Sequence, residues 1–486
     1  MQSRRAARSR CVPLLFAALL TPTALLHAQG VELDPFSTSK LTSTSRASQI
    51  SDVNQLGCNP KAHPSGTVSL TAAIEFALCN NPQTQRDWAY AKAQAAAIGV
   101  AKSAYLPTLS VSGTSMHEKS STRVDADPFY NNDIDSSLRT SRVDLNLVLY
   151  DFGLRSANLE NARQLLAAAN ASHDATVQAV FINAAQAYYD AVTALTSLTA
   201  VRASKTLAET SFHAAEAGYK IGTGTQIDKL QAETAYSQEA LKLVKAEGAL
   251  QVAMGNLATT MGFPANTPFQ VESLDDARLP DTSFVKSVDS LMDQAKISHP
   301  SLISARSQLR AAEAAEQSVR ASGYPTLSFT ANSNRAVQPT QQLGLPPLTT
   351  VARGNEFGVQ LNIPLFEGFG RTYRVRQAAA QTEAKAADLA EVELQVSLSV
   401  WKSYQALQTA GEEVKVSEQY RSSAAKTLEA AQGRYKIGAS EVLELLNAQT
   451  VMANAEQQHI QAVADWRTAR LRLAFSLGML GNWAIQ

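Results

Sequence analysis

The sequence predicts an α+β membrane protein built from two tandem structural repeats, and three observations carry that reading. The chain repeats its own motif order at a nearly constant spacing. It contains short segments that alternate apolar and polar residues, the period of a two-faced strand. It also contains proline-free, Ala-rich stretches far longer than a globular core requires.

The repeat can be measured. Pro107 of "LPTLSVSG" and Pro325 of "YPTLSFTA" stand 218 residues apart, as do Pro82 and Pro300. Leu149 of "LYDFGLR" and Leu365 of "LFEGFGR" stand 216 apart, as do Tyr219 and Tyr435 of the two "YKIG" phrases, and Gly262 and Gly478. The register therefore slips by two residues between the first motif and the second. The halves run over 69–262 and 287–478, joined by a linker at 263–286 and followed by a tail at 479–486.

The N-terminus reads as a processing segment. Arg4, Arg5, Arg8 and Arg10 precede the apolar "CVPLLFAALLTPTALL", and Ala28 offers a small residue for cleavage, giving a signal peptide over 1–28 and an extracytoplasmic segment over 29–68. Cys11 would leave with the signal. Cys58 and Cys79 remain in an oxidising compartment, where a disulfide is the natural reading. A pair of free thiols or a metal site are the alternatives, the latter weakened by the absence of Cys-x-x-Cys and by His63 as the one histidine between them.

Each half then follows the same order. Two helices come first, "SLTAAIEFALCN" and "TQRDWAYAKAQAAAIGVAKSAY" in the first half, and proline stops the second of them. Alternating segments follow. "RVDLNLVLY" sets Val143, Leu145, Leu147 and Leu149 on one face against Asp144 and Asn146; "FGVQLNIPL" sets Phe357, Val359, Leu361, Ile363 and Leu365 against Gln360 and Asn362. Between the paired strands, "HEKSSTRVDADPFYNNDIDSSLRT" reads as a polar loop. A very long helix begins near Leu154, with Val177, Phe181, Ala184, Tyr188, Ala191, Leu195 and Leu198 at coiled-coil spacing, and Val396, Val400, Tyr404 and Leu407 continue the pattern in the second half. Each long helix ends at a Tyr-x-x-Gly phrase, and a helix returns to Gly262 or Gly478.

After the signal no run of 18 apolar residues occurs, so any membrane crossing falls to the strands. Strands apolar on one face and polar on the other suit a transmembrane barrel, and an open sheet cannot sit in lipid because its edges would carry unsatisfied backbone groups. Four candidate strands are too few, since the smallest such barrels need about eight, so several chains would have to share one barrel. Soluble hairpins capping helical bundles are the alternative, as in a periplasmic coiled-coil adaptor or structural protein without a pore.

The duplicated halves, "LPTLS", "LYDFGLR"/"LFEGFGR", "YKIGTGTQIDKLQAET" and "RYKIGASEVLELLNAQT" resemble the TolC family of outer-membrane efflux and type I secretion channels, over about Ser69 to Gly478. The resemblance implies a homotrimer in which each chain gives four strands to one twelve-stranded outer-membrane barrel. That barrel continues into a long α-helical, coiled-coil barrel across the periplasm. It implies an exit duct for small molecules or an unfolded secreted polypeptide such as a toxin. Its partners would be a periplasmic adaptor and an inner-membrane RND-type pump or type I secretion ABC transporter. It places the Tyr-x-x-Gly phrases at the periplasmic tips, where the adaptor docks and the entrance closes. The matching residues are Tyr219, Gly222 and Asp228 in the first hairpin, and Tyr435, Gly438 and Glu444 in the second. Asp228 and Glu444 read either as a cation-attracting ring in a threefold pore or as helix N-terminal charge. The family's entrance arginine and second aspartate are replaced here by Ser440 and Asn447, so its gating bonds do not carry over and at most one ring, at Glu444, is expected.

Other chemistries find no support. Lys+Arg and Asp+Glu are both 43, which provides no basic footprint for nucleic acid. "IGTGTQI" has Ile227 where a dinucleotide loop needs its third glycine, and it follows a helix rather than a strand. No His-Glu-x-x-His, Walker lysine or Gly-x-Ser-x-Gly occurs, so neither an enzyme nor a cofactor or metal is expected.

Overall fold

The computed structural model describes residues 34–42, 64, 66–272, 288–342, 346 and 348–480. The first half runs β1 (Thr67–Val68), α1 (Leu70–Asn80), α2 (Pro82–Ser103), β2 (Thr108–Thr122), β3 (Asn132–Tyr150), α3 (Leu154–Lys220) and α4 (Gln226–Thr260). The second runs β4 (Gln270–Val271), α5 (Val288–Ser298), α6 (Pro300–Ala321), β5 (Thr326–Gln342), β6 (Leu348–Asn362), α7 (Gly370–Lys436) and α8 (Val442–Ser476). Helices of 11, 22, 67 and 35 residues recur in that order in both halves. At about 1.5 Å per residue each long helix reaches roughly 100 Å.

The short motifs of the repeat turn out to be helix punctuation. In Asn81-Pro82 and His299-Pro300 the first residue caps a helix and proline takes the first helical position, where no N–H is needed. Asn81 Oδ1 accepts from the Gln83 N–H at 2.8 Å, and His299 Nδ1 accepts from the Ser301 N–H at 3.2 Å. Gly262 and Gly478 end the returning helices with φ of 86° and 68°. They also lie so close to Asn80 and His299 that an added Cβ would come within 2.8 Å of each. Glycine there supplies both the left-handed turn and the close approach.

The stripe read from the long helix is buried where it crosses the short helices. Phe181, Ala184, Tyr188 and Ala191 pack with Ala73, Ile74 and Ala77 of α1 and with Leu257 of α4. The second half repeats this with fewer large side chains, Val396 and Val400 against Leu291 and Leu302.

The four long strands form one antiparallel sheet, ordered β2-β3-β5-β6, so β2 and β6 are its edges. The strands are longer than expected. Much of the segment read as a polar loop is paired, with His117–Thr122 lying against Asn132–Ser137, and the connection shrinks to 123–131. Polar side chains do not prevent pairing here because the ladder bonds are backbone bonds, and polar contacts add to them: His117 Nε2 lies 3.5 Å from Asp135 across the strands, and Arg123, just past β2, places Nη1 2.7 Å from Asp133. β4, within the stretch read as a linker, pairs in parallel with β1.

Candidate functional site

The register resolves the sheet into two unlike faces. Leu109 opposes Leu145, Leu145 opposes Ala331, and Ala331 opposes Phe357; Leu147, Phe329 and Val359 align one step lower, and Leu327 with Leu361 lower still. These form one apolar stripe across all four strands. Its residues on the edge strands are exposed, Phe357 at 83% and Leu109 at 51%, and those on β3 and β5 are half-buried, a surface for which water would be a poor solvent. The opposite face is polar and internally bonded. Arg142 Nε donates to Asp144 Oδ1 at 2.7 Å, and Asn332 Nδ2 donates to Glu356 Oε2 at 3.0 Å.

Below the stripe the strands turn into α3 and α7 through matched joints. Asp151 is buried and accepts from Arg155 Nε at 2.8 Å and from the Arg155 N–H at 3.1 Å. Arg155 also donates to the Val148 carbonyl at 2.8 Å, so one guanidinium holds the end of β3 to the first turn of α3. Arg371 does the same for the second half, donating to the Pro364 carbonyl at 3.0 Å and to Glu367 at 3.1 Å. Tyr105 lies 4.8 Å from the Arg155 guanidinium; its counterpart is Gly323, where any Cβ would strike Arg371. Around the joints sit exposed aromatics, Tyr150, Phe152, Tyr324, Phe366 and Phe369, placed as an interfacial belt would be. The quoted motifs contained several of these residues, but exposure could not be read from sequence.

The other end of the long helices holds the sequence-predicted tip residues, and the structure brings them together. Gly222 and Gly438 adopt φ of 79° and 70°. In each tip the residue after the glycine donates back five positions, Thr223 to the Gly218 carbonyl and Ala439 to the Arg434 carbonyl, both at 2.9 Å. The glycine N–H itself bonds the tyrosine carbonyl, Tyr219 or Tyr435, at 3.1 and 3.0 Å. This is the Schellman motif, and it explains the Tyr-x-x-Gly spacing: the tyrosine carbonyl and the left-handed glycine are its two fixed points.

The side chains differ. Tyr219 is exposed, with Lys229 Nζ 6.0 Å from its ring. Tyr435 is half-buried between the hairpins, packed against the cluster of Ala215, Ala232, Val442 and Leu446; burial and then the nearby Asp228 charge raise its pKa. Asp228 closes a capping box with Thr225. Its Oδ2 accepts from the Thr225 N–H at 2.9 Å and from the Thr225 hydroxyl at 2.7 Å, while the Asp228 N–H donates to the hydroxyl at 3.1 Å. Those bonds from Thr225 hold the Asp228 carboxyl below its ordinary pKa. Glu444 lies 3.4 Å from Arg434 of its own hairpin. Both carboxylates are thus engaged in holding their own tips. Thr225 and Arg434 were missed, although Thr-x-x-Asp before a helix is a legible capping signal. Ile221 and Ile437, equivalent in the repeat, are the most open apolar side chains at the tips, 76% and 79% exposed. Cys79 is disulfide-bonded, and Cys58 lies outside the described residues. Among the described residues no cluster of metal-ligating side chains occurs, and no helix is long and apolar enough to cross a membrane.

Comparison with known proteins points one way. A family model described as outer membrane efflux protein matches residues 73–263 and 291–479, one match per repeat. Protein CyaE of Bordetella pertussis is 29% identical over 430 residues, covering 88% of each chain. The alkaline protease secretion protein AprF of Pseudomonas aeruginosa is 24% identical over 424 residues, covering 85% of each. Among solved structures, the outer-membrane channel OprN shares the fold with a TM-score of 0.72 at 18% identity, covering 85% of this chain and 90% of that one.

Proposed function

The chain belongs to the outer membrane efflux protein family, whose model spans both repeats, and from that premise we propose how it works as an outer-membrane exit duct. The duct is a homotrimer. The observation that carries this reading is the four-stranded sheet with an apolar face, a polar face and two unpaired edges. In lipid those edges must pair. Two copies would give eight strands, whose lumen side chains roughly fill; three copies give twelve and leave a channel. The polar face lines that channel and the apolar stripe meets lipid. The paired long helices extend the duct into the periplasm.

The chain conducts passively, without a catalytic step or a cofactor, so the energy comes from an inner-membrane transporter reached through a periplasmic adaptor. The tips are the docking and gating end. Tyr219, Gly222, Tyr435 and Gly438 set their shape, the exposed Ile221 and Ile437 offer apolar contact, and Asp228 and Glu444 keep each tip closed on itself. Cargo is a small molecule or a secreted polypeptide; the name of AprF, an alkaline protease secretion protein, supports the polypeptide. The soluble-adaptor alternative is not favoured by the family match. Reconstitution of the mature chain in planar bilayers tests the reading. Discrete conductance from a species of three chains is expected, and a water-soluble monomer that never conducts would overturn it.

A further inference from the structure

Above its apolar stripe, the same face of the sheet carries three arginines. Arg335 and Arg353 stand directly opposite each other on β5 and β6. On β3, Arg139 pairs with Val337, which places it diagonal to Arg335. The alternation of the strands puts all three on the side of Leu145, Phe329 and Phe357, and all three are exposed. Arginines directly opposed on one face repel, at a Cβ separation of about 5 Å. Elsewhere on the sheet the basic side chains stand beside carboxylates: Arg142 by Asp144 on the polar face, and near the hairpin end Arg123 by Asp133, His117 by Asp135, and Lys119 directly across the ladder from Asp135. Among the described residues, Arg139, Arg335 and Arg353 have no acidic partner.

Their height is informative. Arg353 lies four residues beyond Phe357, about 13 Å along the strand. There the continuous apolar band has ended, with only the Val337–Val351 pair beyond it on this face, and if this face meets lipid the head groups of the outer leaflet begin there.

We propose that Arg139, Arg335 and Arg353 form a binding site for a phosphorylated lipid of the outer leaflet, with its phosphates on the guanidinium groups and its acyl chains on the apolar stripe below. The proposal rests on the reading of the sheet as a membrane barrel. Planar guanidinium forks match phosphate oxygens and remove the repulsion of the opposed pair. A lipid phosphate fits better than free phosphate because the cluster continues directly into the exposed stripe of Phe357, Val359 and Leu361, which acyl chains would cover.

The test uses the full mature chain in zwitterionic nanodiscs, titrated with bis-phosphorylated lipid A, dephosphorylated lipid A or inorganic phosphate, with bound lipid counted by native mass spectrometry. Wild type is expected to retain phosphorylated lipid A preferentially. The R139Q/R335Q/R353Q variant should bind it on the order of a hundredfold more weakly. R142Q, which removes a cation from the polar face, should bind it as wild type does. Equal retention by wild type and the triple variant, equal loss in R142Q, or equal retention of dephosphorylated lipid would overturn the proposal. So would saturation by inorganic phosphate alone. Conductance of the same preparations separates the two levels: a conducting channel indifferent to lipid phosphate removes only this site, and a chain that never inserts removes the barrel reading with it.

Discussion

The two tips end their long helices alike and begin their return helices differently. Both use the same pair of backbone bonds and a left-handed glycine to stop α3 and α7. On the return, Thr225 caps α4 with its side chain and Asp228 answers it, while the equivalent Glu441 makes no side-chain cap to α8. The second tip instead carries the Arg434–Glu444 pair, and Arg434 stands where the first tip has Gly218. At the opposite end of the helices, Arg155 and Arg371 make the same strand-to-helix joint. What backbone geometry demands is held in both halves. At the start of the return helices, where a side chain alone closes the helix end, the halves have parted.

That contrast can be broken or sharpened by substitution. The largest effect is expected at the joints. Arg155→Ala strands Asp151, whose side chain is only 9% exposed, and should cost about 3 kcal/mol, read as a fall in thermal unfolding temperature. Arg371→Ala removes a partner from Glu367, which is 30% exposed, and should cost about 1 kcal/mol; equal losses would mean that burial does not distinguish the joints. The disulfide comes next and belongs to one half only, since Ile297 occupies the position equivalent to Cys79. If Cys58 is its partner, Cys58→Ser should cost about 3 kcal/mol, at most, for a loop of that size, and leave the second half's hydrogen exchange unchanged.

Smaller effects probe the tips. Gly222→Ala and Gly438→Ala meet no side chain within 4 Å, so each should cost only the left-handed backbone strain of about 1 kcal/mol, equally in both tips. Unequal losses would show that the two turns are not the same construction. Thr225→Ala should destabilise the first turn of α4 by about 1 kcal/mol, whereas Glu441→Ala should leave α8 within a few tenths, both by local amide exchange. The smallest effect is in pH. The folded Asp228 pKa is lowered, so its contribution is present above the ordinary carboxylate pKa and is lost as pH falls through that value and below it. Exchange at 223–229 should rise on acidification in wild type and stay flat in Asp228→Asn.

Much of this was legible in sequence for a physical reason. Duplication makes element order visible twice, so the strands, the long helices and the tips could be placed by register alone. The apolar faces of β3 and β6 followed from period two, which sequence states directly. The extension of the hairpin through Lys119 and Asp135 was not legible, because backbone pairing does not require apolar side chains. Spacing alone leaves Asp228 and Glu444 between pore ring and helix charge, since it cannot say whether a carboxylate turns toward its own helix. The aromatic belt and the open Ile221 and Ile437 depend on exposure, a property of packing.

The central claim is that the sheet of one chain is a third of a barrel whose β2 and β6 edges close on other copies. Cysteine pairs scanned along β2 at 108–116 and β6 at 352–360, oxidised in membranes and separated without reductant, test it most directly. A ladder of one, two and three linked chains that stops at three, with linkage confined to one register of the two edges, is the expected result. Linkage that never exceeds one chain, or that continues past three, would contradict it.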